Sequence, residues 1–133
     1  MFTPEIFNVS TTDGRNFTLL EDVNYTDSKN LTYILPSGSS SDGASTPQAV
    51  WNIIPPFGTY WRAAFLHDCA YRNTLLKSDR TLANLTKSDC DELLKDAMKQ
   101  TGVNEKEIIA IYEGVVLGGN SSFTEDRKAI KTP

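Results

Sequence analysis

Cysteine, histidine and long apolar runs are all scarce in this sequence. Its two cysteines are too few for a disulfide scaffold, so we expect free thiols in a reducing compartment. No stretch approaches the roughly 20 apolar residues that a helix needs to span a membrane. The first residues lack the basic and apolar regions of a signal peptide, and we therefore expect no secretion by the general route.

Positive charge is scarce as well. The chain carries 13 basic against 17 acidic residues, for a formal net charge of −4, and the two signs are mixed along its length. Without a basic face the protein cannot neutralise a run of phosphates. We therefore expect no nucleic-acid partner.

Apolar residues are abundant enough for one core. They make up 39% of 133 residues, and two domains would leave each half short of core. We predict a single domain over residues 1–119, with strands in 1–40 and a helical part in 41–119. A polar C-terminal tail would occupy 120–133.

The N-terminal part has the pattern of extended chain. β-prone runs flank Asp13-Gly14, which is a hairpin signal, and a further short strand is predicted over 31–35. The Ser/Gly-rich stretch 37–45 lacks apolar periodicity and is predicted to be a loop.

The pattern changes to helices at residue 60. Residues 60–72 are apolar on nearly every face, which is typical of a buried helix. After a polar loop, Thr86 with Asp89 resembles a capping box that opens a second helix, and Asn104 opens a third. The predicted class is α+β, with N-terminal antiparallel strands followed by a three-helix region that has one buried central helix.

The only histidine, His67, lies with Asp68 in the middle of the apolar helix. Buried polar groups need partners, because burial without a hydrogen bond costs free energy. At about 100° per residue, Tyr71 shares a stripe with His67, whereas Asp68 points about a quarter turn away. His67 and Asp68 therefore bracket one site or serve two different partners. Asp91, near the start of the second helix, is the natural partner of His67, and we predict a hydrogen bond between them.

This arrangement has a chemical interpretation and a structural one. A carboxylate on one imidazole nitrogen leaves the other free to take a proton from water. Asp68 would then be available to a cation, with Asp42 in a turn as a second ligand, and such oxygen ligands favour Ca²⁺ or Mg²⁺. Alternatively, His67, Tyr71 and Asp91 form a satisfied buried network that only fixes helix packing.

Other conspicuous residues have the same two interpretations. Cys69 and Cys90 are small core residues, or they have a redox or metal role. Trp51, Tyr60 and Trp61 belong to the core, or they line a pocket for an apolar substrate.

Ordered motifs between residues 41 and 119 resemble a domain-of-unknown-function family of tailed phages and prophages. These motifs are Asp42-Gly43-Ala44-Ser45-Thr46-Pro47, Ala63-Ala64-Phe65-Leu66-His67-Asp68 with Tyr71-Arg72, and Asp91 ahead of Leu94, Ala97-Met98 and Gly102-Val103. The resemblance implies a phage setting, in the host cytoplasm or the virion, and no particular activity.

A narrower resemblance concerns the paired helices. His67-Asp68-x-x-Tyr71, followed by Cys90-Asp91 on a later helix, is similar to the site of phospholipase A2 and its shorter viral-capsid versions. The resemblance implies that His67 activates water, Asp68 holds calcium, and Asp91 orients His67 with help from Tyr71. The calcium loop of that family has only residues 55–60, with a single glycine, as its counterpart.

Two functions follow from these observations. The first is a metal-assisted hydrolase of a lipid or other ester, with His67, Asp91 and Tyr71 as catalytic residues and Asp68 and Asp42 as metal ligands. The second is a non-enzymatic phage protein, either a virion component or a binder of a host protein, in which the same residues stabilise the helix pair.

Overall fold

Short strands precede and flank three helices in this protein. The computed structural model describes residues 1–14, 16–41, 60–118 and 123–124. The strands in these ranges are β1 Phe2–Thr3, β2 Val9–Ser10, β3 Phe17–Leu19, β4 Val23–Thr26, β5 Thr32–Leu35, β6 Ser40–Ser41 and β7 Leu76–Lys77. The helices are α1 Trp61–Tyr71, α2 Lys87–Gln100 and α3 Glu105–Gly118. The predicted α+β class is confirmed.

The strands form two small antiparallel sheets. One has the order β1-β4-β5-β7 and the other the order β2-β3-β6. The predicted hairpin at Asp13-Gly14 joins β2 to β3, with Val9 opposite Leu19. Gly14 has a φ of +72°, which glycine adopts without steric cost, and its amide donates to the Thr11 hydroxyl. Local turn chemistry therefore sets this hairpin.

Two strands lie where the sequence predicts loops. In the Ser/Gly-rich stretch, β6 pairs with β3, so that Ser41 faces Phe17. In the polar segment after α1, β7 pairs with the edge of β5. The loop predictions were wrong at these points because each strand has two residues, too few for an alternation of apolar and polar side chains. Pairing with a neighbouring strand defines them instead.

Helix α1 is the centre of the fold, as predicted. Every residue from 63 to 71 is buried. The helix packs against α2 on one side and against β6 on another. Small side chains at Ala63, Ala64 and Ala70 allow this close approach, and a helix enclosed on several sides must be apolar all round.

Both later helices begin at the predicted caps. The Thr86 hydroxyl accepts a hydrogen bond from the Asp89 amide at the start of α2. The Asn104 side chain accepts one from the Lys106 amide at the start of α3. No helix in the described ranges is long and apolar enough to cross a membrane.

The described aromatic residues that the sequence left open between core and pocket belong to the core. Tyr60 is buried, and Trp61 packs edge-on against Phe17 and Phe65 with ring centroids 5.7 Å and 5.5 Å away. The core interpretation of Tyr60 and Trp61 is thus confirmed, whereas Trp51 lies outside the described residues.

We predict that Thr86→Ala destabilises the protein by about 1 kcal/mol, because the Asp89 amide loses its side-chain acceptor at the helix start. Thr86→Ser keeps the hydroxyl and serves as the matched control. Urea unfolding of both variants measures the difference. Equal midpoints for the alanine variant and the wild type would contradict this role of the cap.

Candidate functional site

Helix α1 carries His67 into the interior, where it meets α2. The side chain of His67 has no solvent exposure, and its Nε2 atom lies 2.9 Å from Oδ1 of Asp91. The predicted hydrogen bond between these residues is therefore confirmed. Asp91 reaches His67 because it lies on the buried face of α2, one position after Cys90.

Asp91 accepts hydrogen bonds from three of the described side chains. Besides His67, the Tyr71 hydroxyl donates to Oδ1 at 2.7 Å, and the Lys87 ammonium donates to Oδ2 at 2.7 Å. Burial alone would raise the pKa of the Asp91 carboxyl, but the hydrogen bonds from His67, Lys87 and Tyr71 outweigh it and hold this pKa below its usual value. Asp91 is therefore an anion at neutral pH.

The charge on Asp91 fixes the proton on the imidazole. A carboxylate only accepts hydrogen bonds, so Nε2 of His67 is the protonated nitrogen. In the neutral ring the other nitrogen, Nδ1, carries a lone pair. Nδ1 is buried and has no hydrogen-bond partner among the described residues. The ring also lies against Tyr71, with centroids 4.1 Å apart. The site thus presents one oriented proton acceptor.

Lys87 is a residue of this site that the sequence analysis missed. It is the first residue of α2 and lies one turn before Asp91. Its ammonium also donates to the backbone carbonyl of Val115 at 2.9 Å, near the end of α3. The spacing of four residues between opposite charges was the available signal. The link to α3 is tertiary and has no sequence signature.

Asp68 serves a different partner from His67. Its side chain is nine-tenths buried and accepts a hydrogen bond from the hydroxyl of Ser41 in β6. Nearby, the Arg72 guanidinium donates to the Ser40 carbonyl at 2.7 Å. Of the two predicted arrangements, the structure has the one in which His67 and Asp68 serve separate partners. Asp68 thus connects α1 to the sheet.

The described residues contain only part of the predicted cation site. Asp42 and the predicted loop residues 55–59 lie outside them. Within the described ranges, no group of three or more His, Cys, Asp or Glu side chains could hold a metal ion. Asp68 is the predicted metal ligand that the structure describes.

The two cysteines are buried thiols, as expected from their number. Neither Cys69 nor Cys90 forms a disulfide. Burial raises the pKa of the Cys69 thiol to about 12, so this residue is protonated and unreactive in the folded protein. Both side chains are part of the core.

One residue of the predicted C-terminal tail reaches the site. Phe123 packs edge-on against Tyr71, with ring centroids 5.3 Å apart, and is partly buried against the core. At least one residue beyond α3 therefore packs on Tyr71, whose hydroxyl donates to Asp91.

Comparisons with known proteins place the site within a shared region. A family model described as "Protein of unknown function (DUF1353)" matches residues 17–115, which include His67, Tyr71, Lys87 and Asp91. The chain is also 43% identical over 54 residues to "Uncharacterized protein y4jT" of Sinorhizobium fredii (strain NBRC 101917 / NGR234). That match covers 39% of this chain and 16% of the length of the relative. No solved structure matches the chain.

We predict that Asp91→Asn costs about 3–5 kcal/mol of unfolding free energy at pH 7, because the amide NH₂ must face a donor and Lys87 loses its buried counter-charge. Asp89→Asn removes the same charge from an exposed position of α2 and is the matched control.

The difference in unfolding free energy between Asp91→Asn and the wild type also depends on pH. Since the native pKa of Asp91 is lowered from 3.8, its charge stabilises the fold above about pH 4, and this contribution is lost as the pH falls through the native pKa. Urea unfolding from pH 7 to pH 3 should therefore show that the difference in unfolding free energy between the two proteins becomes smaller in acid. A difference that stays constant or increases would contradict the lowered native pKa of Asp91.

Proposed function

The chain belongs to the DUF1353 family of proteins of unknown function, and we propose from the geometry of its own site that it is a small hydrolase of a lipid or other ester. In this proposal His67 is the general base, and Asp91 and Tyr71 orient it. The proposal is supported by the pairing of one imidazole nitrogen with a buried carboxylate while the other nitrogen keeps its lone pair.

The Nδ1 atom of His67, which has no hydrogen-bond partner among the described residues, carries the argument. Buried polar atoms in folded proteins are almost always hydrogen-bonded, and an exception requires an explanation. A histidine that served only packing would be expected to satisfy both ring nitrogens. A general base, in contrast, needs a free acceptor within hydrogen-bonding reach of a water molecule.

The proposed reaction uses this acceptor twice. Nδ1 of His67 takes a proton from water while the water oxygen forms a bond to the ester carbonyl carbon. When the carbon–oxygen bond to the alcohol breaks, Nδ1 returns that proton to the leaving oxygen. Asp91 keeps Nε2 protonated throughout and stabilises the positive charge that forms on the ring.

A hard cation is a second part of the proposal. Asp68, together with Asp42, would bind Ca²⁺ or Mg²⁺, which polarise a carbonyl oxygen when bound. Asp68 is the one of these two ligands that the structure describes, and a full shell needs about six to eight oxygens. The described residues therefore do not supply the shell, and no step above depends on the cation.

The biological setting is also a proposal. The resemblance to phage and prophage proteins supports a role in the host cytoplasm or in the virion. The similarity of the His67, Asp68, Tyr71 and Asp91 pattern to the phospholipase A2 site supports an ester or lipid as the substrate class.

A second function is favoured by a different observation. His67 has no solvent exposure, and Asp91 joins side chains of α1 and α2 into one buried network. Such a network can fix helix packing in a non-enzymatic phage protein that has a structural role or binds a host protein.

We predict that His67→Gln lowers hydrolysis by about two to four orders of magnitude, because glutamine can keep a hydrogen bond to Asp91 but cannot take up a proton. The screen uses lipid vesicles, short-chain esters, thioesters and peptides, with and without calcium. A thermal melt of the same variant should show little change. Tyr71→Phe, which keeps the histidine, should retain more activity.

The two candidate functions differ in the outcome of this experiment. A wild-type protein that is inert on every substrate, together with a His67→Gln variant that loses about 1–3 kcal/mol of stability, would support the packing role and contradict the hydrolase.

We predict that Asp68→Asn abolishes or strongly weakens Ca²⁺ or Mg²⁺ binding and leaves the fold intact. The amide oxygen can still accept the Ser41 hydroxyl, but the charge that a hard cation requires is gone. Calorimetry on the wild type and this variant measures binding, with Asp89→Asn as the control for lost charge. If calorimetry detects no heat of Ca²⁺ or Mg²⁺ binding in the wild type, the cation part of the proposal is ruled out.

A further inference from the structure

Lys87 is held at the junction of α2 and α3 by three acceptors. Its ammonium lies 2.7 Å from Oδ2 of Asp91, 2.9 Å from the carbonyl of Val115 and 3.4 Å from that of Val116. An ammonium group has three protons to donate, so each one has an acceptor. The Lys87 side chain is only 17% exposed. A lysine confined in this way has a fixed position, unlike a typical surface lysine.

The end of α3 explains why this position is favourable. The last carbonyls of a helix have no partner within the helix, and they form the negative end of its dipole. Helix α3, which the structure describes completely, has no basic residue in its own last turn. Lys87 supplies that positive charge from the neighbouring helix. Its place is therefore set by α3 as well as by Asp91.

Holding Oδ2 determines where the other carboxylate oxygen points. With Oδ2 bound to Lys87, Oδ1 of Asp91 faces both His67 and Tyr71. A carboxylate without a partner on Oδ2 could rotate about its last bond and lengthen the contact with Nε2. The hydrogen bond that orients His67 therefore depends on Lys87.

We infer that Lys87 is a positioning residue of the proposed hydrolase: it fixes the carboxylate of Asp91 between α2 and α3 and so holds Oδ1 of Asp91 on Nε2 of His67. The inference rests on the proposed function, in which His67 is the base. It adds a role for α3, whose last turn holds the residue that positions the partner of the base.

The single histidine makes this inference measurable without a known substrate. Protein labelled with ¹⁵N-histidine gives ring signals from His67 alone, and these report which ring nitrogen carries a hydrogen-bonded proton. The wild type should show a hydrogen-bonded proton on Nε2. Lys87→Met should show a weaker hydrogen bond at Nε2, seen as faster exchange of its proton, and Lys87→Arg should restore the wild-type signals.

Further variants separate positioning from general loss of structure. Lys99→Met removes a positive charge from an exposed position of α2 and should leave the ring signals unchanged. Lys87→Gln removes the charge but keeps two donors, and it replaces Lys87→Met if that variant does not fold. On an ester that the wild type hydrolyses, kcat/KM of Lys87→Met should fall by about 10- to 100-fold, the size of effect seen when a metal-binding histidine loses the partner that orients it.

The outcomes are distinguishable from failure of the hydrolase itself. Identical ring signals in the wild type and the folded uncharged variants would overturn the role of Lys87, even if the wild type is an active hydrolase. A lower melting temperature without a change in the ring signals would likewise overturn it, since a purely structural lysine predicts that result. A wild type inert on all esters would instead contradict the proposed function, while the ring signals still test the positioning of His67.

Discussion

The buried carboxylate of Asp91 is the interaction on which the helical part of this protein depends. It binds two side chains of α1 and, through Lys87, the last turn of α3. Removing a charge from water is costly, and a buried ion pair repays that cost only when its remaining lone pairs and protons are satisfied. Here both oxygens of Asp91 are bonded, so a small shift of one helix would break contacts to the other two. The carboxylate therefore specifies the arrangement of the helices.

Helix α1 connects this network to the sheets because its polar residues leave it in two directions. His67 points toward α2, whereas Asp68, a quarter turn away, meets Ser41 of β6. The apolar side chains of this helix pack in the core, with Phe65 fully buried. Two adjacent polar residues of one buried helix thus connect that helix to α2 and to β6.

The sequence predicts the features that have local causes. Helical spacing and capping patterns locate α2 and α3, and helical geometry separates His67 from Asp68. The need of a buried imidazole for a partner, with Asp91 near the start of the second helix, predicts the pair of His67 and Asp91. The sequence does not predict β6 and β7, since such short strands are stabilised by their neighbours. Lys87 is missed for the same reason, because its carbonyl partners on α3 are 28 and 29 residues away along the chain. The role of Asp42 stays a prediction, as that residue lies outside the described part of the chain.

Helix packing accounts for the hydrogen bond that Nε2 of His67 makes, but it does not account for the buried Nδ1 atom. The network needs one donor to Oδ1 of Asp91 at this position of α1, and several side chains could supply it. Histidine adds a second nitrogen that is buried without a partner among the described residues, and such an atom costs about 1–3 kcal/mol relative to a satisfied one. Stability alone would favour a residue without that atom. Lys87 is a second observation, because it fixes the carboxylate that orients the ring. Both observations support the proposed role of His67 as a proton acceptor, in addition to its contribution to helix packing.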